Sequence, residues 1–377
     1  MIDNKSHKSH KANKANKANK TYKTYRPNRP HKPYWPHFSF IIYYFSLFTL
    51  SFFTLTLSSC FQAKDFEDTP EGNMEALWTI IDEHYCFLDY KREAIGLDWN
   101  EVRGRYRARL SDDMTKAQLF EVLAEMLSEL RDGHVNLYTP ADVGRNWSWY
   151  EDFPPNFYQD LQDAYLGTDY KIASSLKYRI LDDNIGYLVC SSFASGFGEG
   201  NLDEVLYGLR SCNGLILDLR NNTGGDLTLA DRLAQHFTNE RRLVGYISHK
   251  TGKGHNDFST PKEQYLEPSE GVRWQKRVVV LTNRRCYSAA NTFVRDMKRC
   301  PQVTVLGDQT GGGSGMPFSS ELPNGWSVRF SACPMYDADM NHIEFGIQPD
   351  IVVSLTDDDR ARGLDTLIEA ARQLLLQ

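Results

Sequence analysis

The sequence predicts a mixed α+β and α/β fold, in which a helical front precedes a region of alternating strands and helices. Two observations lead to this prediction. Between residues 74 and 131, apolar residues recur every three or four positions, which is typical of amphipathic helices. From Ile185 onward, short apolar runs alternate with helical patterns and tight turns, which indicates a largely covered sheet.

The helical front is predicted to contain three helices: Met74 to Tyr90, Trp99 to Leu110 and Thr115 to Arg131. In the third, apolar residues repeat with helical spacing behind Thr115, a residue type suited to an N-terminal cap. We therefore assign residues 74–140 to a helical subdomain. Residues 141–184 are rich in aromatic residues and proline, and we assign them to a connecting segment that packs against the rest or faces substrate.

The first 37 residues are unlike the rest of the chain. They carry ten Lys/Arg against one acid, a net charge of +9, and since the whole chain is −6 the remainder carries −15. Phe38 to Leu57 follows as twenty residues without a charge, and then the small residues Ser58-Ser59 precede Cys60. A positive segment, an apolar segment and small residues in this order are the pattern of a secretory signal.

The position of Cys60 resembles that in a bacterial lipoprotein signal, in which this cysteine is acylated and becomes the mature N-terminus. On this interpretation residues 1–59 are a basic leader and signal sequence, and 60–73 are a polar tether to the membrane. The alternative is an uncleaved anchor, because twenty apolar residues can also span a bilayer. Either interpretation predicts an exported, envelope-attached protein. Binding of nucleic acid by the basic tail is the remaining alternative, and it fails if the tail is removed.

Six cysteines follow Cys60, and none stands in a Cys-x-x-Cys pair typical of metal sites. Several lie in apolar segments, which favours buried free thiols. The sequence therefore predicts neither a metal site nor a cofactor.

The second half, residues 185–377, is predicted to form one domain. Its clearest elements are strands at Ile185–Val189, Gly214–Arg220, Val278–Leu281 and Val303–Leu306, and helices at Asn201–Leu209 and Leu227–Phe237. Two glycines, Gly224 and Gly225, come directly after a buried strand, where they allow a ligand to approach the backbone closely. No Lys-Ser/Thr follows them, so this is not a P-loop.

Ser288 lies between the Val278 strand and a helical pattern that begins at Ala289. A serine at such a turn is placed for nucleophilic attack, with unpaired backbone N–H groups behind it. The alternative is that Ser288 only caps the helix. Among the six histidines beyond the N-terminal tail, His134 alone has a helix stop before it and an extended segment after it, which suits a general base. A histidine without a catalytic role is the alternative there.

Four motifs in order resemble tail-specific (C-terminal processing) serine peptidases of family S41. They are Gly214–Gly225, Tyr287–Ala290, Leu306–Gly313 and Phe345–Val353. The resemblance implies a crotonase-like, ββα-type peptidase domain in residues 185–377, protein or peptide substrates, and Ser288 as nucleophile. It also implies an oxyanion hole formed by the N–H of Ala289 with that of Gly224 or Gly225.

The processing peptidases use a Ser–Lys dyad, but Gly313 stands at the lysine position here. Asp132-Gly133-His134 is instead similar to the branch that contains the tricorn core and the retinoid-binding photoreceptor repeats, whose peptidases take histidine as base. That branch implies His134 as base and Glu344 as the group that holds its imidazole, directly or through water. Gly133 replaces the serine that precedes the histidine in the tricorn type. A catalytically silent ligand- or peptide-binding lipoprotein of the same fold is therefore the alternative function.

Overall fold

The computed structural model describes residues 66–146, 150–151 and 153–377. The leader, the apolar run, Cys60 and the first part of the tether lie outside the described residues, as do 147–149 and 152. Of the described helices, none has the length and apolar character that crossing a bilayer would require.

The described part of the chain opens with four helices and continues with strands interspersed with further helices. The helices are α1 Pro70–His84, α2 Leu88–Ile95, α3 Trp99–Arg107, α4 Lys116–Ser128, α5 Gln159–Leu166, α6 Glu199–Gly208, α7 Leu227–Gln235, α8 Ala289–Met297, α9 Asp357–Ala361 and α10 Thr366–Leu376. The strands are β1 Asn136–Tyr138, β2 Val143–Arg145, β3 Lys171–Ala173, β4 Leu176–Ile180, β5 Gly186–Val189, β6 Leu215–Asp218, β7 Arg242–Ile247, β8 Lys262–Leu266, β9 Val278–Thr282, β10 Val303–Gly307, β11 Met316–Glu321, β12 Ser327–Cys333, β13 Met335–Asp337 and β14 Ile351–Val352.

The central sheet has seven strands in the order β14-β10-β9-β6-β5-β4-β3. The first five run parallel, β4 pairs antiparallel with β5, and β3 pairs antiparallel with β4. Strands β5, β6 and β9 are buried along their whole length, as expected for strands covered on both faces. One face packs with α6, α7 and α8, and the other packs with α10. The predicted α/β arrangement is confirmed.

The helical front packs against a second sheet, of order β11-β12-β1-β2. Leu137 of β1 and Val328 and Phe330 of β12 belong to the same apolar core as α1, α3 and α4. Strand β1 of this sheet begins two residues after His134, the predicted base. A third, three-stranded sheet has the order β13-β7-β8.

The prediction of one helix from Met74 to Tyr90 is wrong at both ends. Helix α1 begins at Pro70, inside the predicted tether, because Thr69 caps it by accepting a hydrogen bond from the N–H of Gly72. It ends at His84, since Tyr85 is extended and the N–H of Cys86 donates to the carbonyl of Ser331 at 3.0 Å. A separate helix, α2, starts at Leu88.

The polar residues of the Gly214–Gly225 motif form a buried network. Arg220 is fully buried, donates to Asp218 at 2.7 Å, and lies 2.8 Å from the carboxylate of Asp365. Asp226 caps α7 through the N–H of Thr228 at 2.8 Å, and Asp350 accepts from the N–H of Val305 at 2.8 Å. The contacts of these four residues are therefore structural: they brace the turn, cap a helix and join strands.

Candidate active site

Ser288 occupies a strained turn between β9 and α8. Its φ of 58° and ψ of −122° are unusual for a residue with a side chain. The conformation is held by the backbone, since the N–H of Ser288 donates to the carbonyl of Gly312 at 2.8 Å. Although Ser288 precedes α8, its side chain makes no capping hydrogen bond. The helix-cap alternative is thus wrong, and the hydroxyl is left for another partner.

That partner is His134, whose Nε2 lies 2.9 Å from Oγ of Ser288. The ring of His134 is buried and meets the ring of Tyr287 edge to face, with centroids 5.1 Å apart. Its Nδ1 has no hydrogen-bond partner of standard geometry within the described residues, although the backbone of Gly315 lies close enough to favour the protonated ring. The two residues that sequence reasoning singled out, 154 positions apart, are therefore in contact.

Asp132 holds the turn that carries His134. One carboxylate oxygen accepts the backbone N–H of His134 at 2.8 Å, and the other accepts the hydroxyls of Ser331 at 2.8 Å and Tyr85 at 3.0 Å. Burial by itself would raise the pKa of Asp132, but the charges of Lys91 and His134, with these hydrogen bonds, lower it below its usual value. Asp132 is thus a buried anion that binds the backbone of the histidine and not its ring.

The surroundings of His134 favour the neutral imidazole. Burial lowers its pKa to about 4, and the charges of Arg329 and Arg145 act in the same direction, whereas Asp132 opposes them. At neutral pH the ring is therefore unprotonated. This is the state in which Nε2 can accept the proton of Ser288.

Glu344 is buried but makes no direct hydrogen bond to His134 among the described residues, so of the two expected arrangements the direct one is wrong and the one through water stays a prediction. Instead one of its oxygens accepts the N–H of Ser314 at 2.9 Å, and the other lies 3.1 Å from Nζ of Lys91. Burial and the charge of Asp132 raise the pKa of Glu344 to about 7, against the lowering effect of Lys91. Through its hydrogen bond from Ser314, the carboxylate of Glu344 binds the loop that follows Gly313.

Sequence reasoning missed Lys91, a fully buried residue of α2. Its Nζ also donates to the carbonyl of Arg131 at 3.3 Å and lies 4.0 Å from the centroid of the Phe345 ring. In the sequence Lys91 is one polar residue in a polar stretch, so no local pattern distinguishes it from a surface lysine.

The predicted oxyanion donors differ in availability. The N–H of Gly224 already donates to Oδ1 of Asn222 at 2.9 Å, so Gly224 is ruled out as a free donor. The N–H groups of Ala289 and Gly225 donate no hydrogen bond within the described chain. Gly224 is nonetheless required beside the serine, because a Cβ there would lie 2.8 Å from Cβ of Ser288 and 2.9 Å from the nitrogen of Ala289.

A cavity of about 570 Å³ opens beside this site. Its wall includes Tyr287, the neighbour of the serine, and Phe153 from the aromatic segment, which stacks under the guanidinium of Arg284 at 4.2 Å. The other lining residues are Ala94, Ile95, Arg131, Asn146, Gln309, Gly311, Glu344 and Phe345. A volume of this size lies within the range of ligand-binding sites.

Two family models match the chain. The model of peptidase family S41 matches residues 184–353, and that of the tricorn protease C1 domain matches residues 66–128. The carboxy-terminal processing protease CtpA of Bacillus subtilis is 25% identical over 187 residues, which are 49% of this chain and 38% of that protein. A probable CtpA-like serine protease of Staphylococcus epidermidis is 28% identical over 45% of this chain and 34% of its own length. The chain thus spans only about a third of these curated relatives.

Solved structures match over more of the chain. The crystal structure of a "putative peptidase" from Parabacteroides merdae is 54% identical, covers 82% of this chain and 98% of its own, and has a TM-score of 0.79. Mature CPAF, solved with lactacystin, covers 81% of this chain and 97% of its own with a TM-score of 0.64, but at 12% identity it shows the fold alone.

Proposed function

Since the chain belongs to peptidase family S41, we propose that it is a serine peptidase in which Ser288 is the nucleophile and His134 the general base. The observation that carries this proposal is the 2.9 Å contact between Nε2 of His134 and Oγ of Ser288. It joins a strained serine at a helix N-terminus to a neutral, buried imidazole, which is how nucleophilic serines are activated.

In the proposed reaction, Oγ of Ser288 attacks the carbonyl carbon of a peptide bond while Nε2 of His134 takes the hydroxyl proton. The tetrahedral intermediate collapses when the imidazolium gives that proton to the leaving amine, and the acyl group stays on Ser288. Water, deprotonated by His134, then attacks the acyl-enzyme and restores both residues. The sum is hydrolysis of one peptide bond with no change in redox state.

The oxyanion of the intermediate would be held by the N–H groups of Ala289 and Gly225. A donor of this kind typically contributes about 3 kcal/mol to transition-state stabilisation. The anion of Asp132 favours the imidazolium electrostatically, as its effect on the pKa of His134 indicates. Glu344 supports the base from a distance, through the loop that it binds or through water.

We assign protein or peptide substrates, by analogy with the family. The proposed location is the cell envelope, with the chain exported and attached to a membrane through lipid on Cys60. The support for this location is the order of charged, apolar and small residues before Cys60. Mass spectrometry of the mature N-terminus tests it. An acylated Cys60 supports the anchor, and an intact Met1 contradicts it.

The test of activity is labelling of the full chain with a fluorophosphonate probe, which reacts with activated serines. We expect wild type to label, Ser288→Ala and His134→Ala to lose labelling, and the exposed-serine control Ser319→Ala to label as wild type. A folded wild type that does not label would contradict the proposal and favour the silent, ligand-binding alternative. Labelling that survives in His134→Ala would show that another group is the base.

A further inference from the structure

The most unusual group near the active site is the ammonium of Lys91. It is fully buried, and a buried charge costs several kcal/mol unless it is paired. Three partners compensate it here: the carboxylate of Glu344, the carbonyl of Arg131 and the face of the Phe345 ring. Lys91 belongs to the helical front, whereas Glu344 and Phe345 follow the nucleophile in the chain by more than fifty residues. One side chain therefore joins two distant segments.

One of those segments carries the base. Arg131, whose carbonyl Lys91 binds, immediately precedes Asp132, and Asp132 accepts the backbone N–H of His134. The charge of Lys91 also lies close enough to Asp132 to stabilise its ionised form. The position of the His134 turn thus depends on the ammonium through one hydrogen bond and one charge interaction.

The other segment holds the nucleophile. The carboxylate of Glu344 accepts the N–H of Ser314, and its backbone carbonyl accepts the N–H of Gly313 at 3.0 Å. The preceding residue, Gly312, accepts the N–H of Ser288. Three direct contacts, Lys91 to Glu344, Glu344 to Gly313 and Gly312 to Ser288, therefore lead from Lys91 to the backbone of the nucleophile.

We propose that Lys91 is a positioning residue for the peptidase reaction: its ammonium pairs with Glu344 and fixes the His134 turn and the Ser288-binding loop relative to each other. The inference rests on the proposed function of Ser288 and His134. It differs from a merely structural role because it makes the reactivity of Ser288 depend on the charge of Lys91.

The charged and titratable groups around Glu344 determine how the reactivity of Ser288 should depend on pH. Burial and the charge of Asp132 disfavour the ionised form of Glu344, whereas the charge of Lys91 favours it. Within the described residues, the side chains of Tyr85, Cys86, Tyr90 and Tyr287 also interact with Glu344; burial raises their pKa values, so they stay neutral near pH 7. Lys91 is therefore the cation that sets the ionisation of Glu344. Its removal shifts the pH at which Glu344 ionises upward.

The experiment measures the second-order rate constant of fluorophosphonate labelling against pH for the full chain. Lys91→Gln keeps two hydrogen-bond donors but removes the charge, Lys91→Arg keeps the charge, and Arg103→Met is the control because Arg103 pairs with Glu75 inside the helical front, away from the site. We expect Lys91→Gln to label about 10–100-fold more slowly at pH 7, as small misplacements of reacting groups do. Its acidic limb should lie at higher pH than that of wild type. Lys91→Arg should recover part of the rate, and Arg103→Met should change neither rate nor profile.

The Glu344→Gln background separates positioning from general loss of stability. With no carboxylate to ionise, adding Lys91→Gln should cause no further shift of the acidic limb. An equal shift in both backgrounds would overturn the inference, as would a folded Lys91→Gln with the wild-type rate and profile. Either result leaves the proposed function standing, because the wild type still labels. A wild type that never labels overturns both.

Discussion

The ring of Tyr287 occupies the space that a side chain at position 313 would need. A Cβ on Gly313 would lie 2.4 Å from Cζ of Tyr287 and 2.5 Å from Cε1. Position 313 is where the processing peptidases that this sequence resembles carry the dyad lysine. Tyr287, the residue before Ser288, thus fills the space that the glycine at position 313 leaves open, and its ring packs against His134. The contact of His134 with Ser288 and the glycine at 313 are thus two parts of one arrangement.

The first prediction concerns this contact and compares Gly313→Ala with Gly325→Ala. Both glycines have positive φ, 76° and 81°, so both variants pay a similar backbone strain. Only Gly313 meets Tyr287, since the nearest atom to a Cβ on Gly325 is 3.9 Å away. We expect urea unfolding to show Gly313→Ala less stable than Gly325→Ala by about 1–3 kcal/mol, the usual cost of overpacking. Fluorophosphonate labelling should fall in Gly313→Ala alone. Equal losses in the two variants would contradict the packing argument.

A second prediction concerns the strain at Ser288. Because its φ of 58° and ψ of −122° are unfavourable for any residue with a Cβ, Ser288→Gly should relieve strain that Ser288→Ala retains. We expect Ser288→Gly to be more stable than Ser288→Ala by about 1–3 kcal/mol in urea unfolding, although neither variant labels. Asn184, in a turn with φ of 60°, is the control: Asn184→Gly against Asn184→Ala measures the same effect at an ordinary turn. A smaller difference at position 288 than at 184 would show that the nucleophile turn is relaxed.

The apolar runs of the sequence were sufficient to predict the α/β sheet, whereas the pairing of Ser288 with His134 was predicted with the help of the family resemblance. Buried strands such as Val278–Leu281 are visible as apolar runs, and both catalytic candidates stand at the ends of such elements. The break at Tyr85 was missed because the helical spacing of apolar residues continues through it. What ends α1 is a hydrogen bond from Cys86 to Ser331, a partner about 245 residues away that no local pattern reveals.

The same reason explains what was missed in the site. The carboxylate of Glu344 contacts Lys91, which lies 253 residues earlier in the chain. The N–H of Gly224 donates to the side chain of Asn222, a hydrogen bond that depends on the dihedral angles of the turn. Family resemblance pointed to Glu344 and Gly224, but not to the groups that they bind. The partner of Glu344 is set by packing between segments that are far apart in the chain, whereas the partner of Gly224 is set by the local geometry of its turn.

The third prediction is that His134 and Glu344 make opposite contributions to the pH dependence of stability. The pKa of His134 falls from 6.5 to about 4 on folding, so the unfolded chain binds its proton more readily and stability is lost as pH falls between these values. The pKa of Glu344 rises from 4.5 to about 7, so its contribution is full below 4.5 and is lost as pH rises through about 7. Between pH 4.5 and 6.5 the two effects oppose each other.

Urea unfolding of His134→Gln and Glu344→Gln between pH 4.5 and 6.5 measures the two effects. Relative to wild type, His134→Gln should gain stability as pH falls, with a slope of up to about 1.4 kcal/mol per pH unit. Glu344→Gln should show the opposite slope. Ser288→Ala removes no titrating group in this range, so its difference from wild type should stay constant. Two parallel slopes would mean that one of the pKa directions is wrong.

The last prediction concerns Arg220, which lies two residues beyond β6 and just before the glycine turn. Its guanidinium is fully buried between Asp218 and Asp365 and also donates to the carbonyl of Asn156 at 3.3 Å. Arg220→Met keeps the volume but leaves two buried carboxylates without their cation, so we expect a loss of about 3–5 kcal/mol in the free energy of unfolding. Arg241→Met, which breaks an exposed pair with Glu267, should cost at most about 1 kcal/mol. Because Arg220 braces the turn and contacts no reacting group, the folded fraction of Arg220→Met should still label at Ser288. A stable Arg220→Met that fails to label would instead place Arg220 in the reaction.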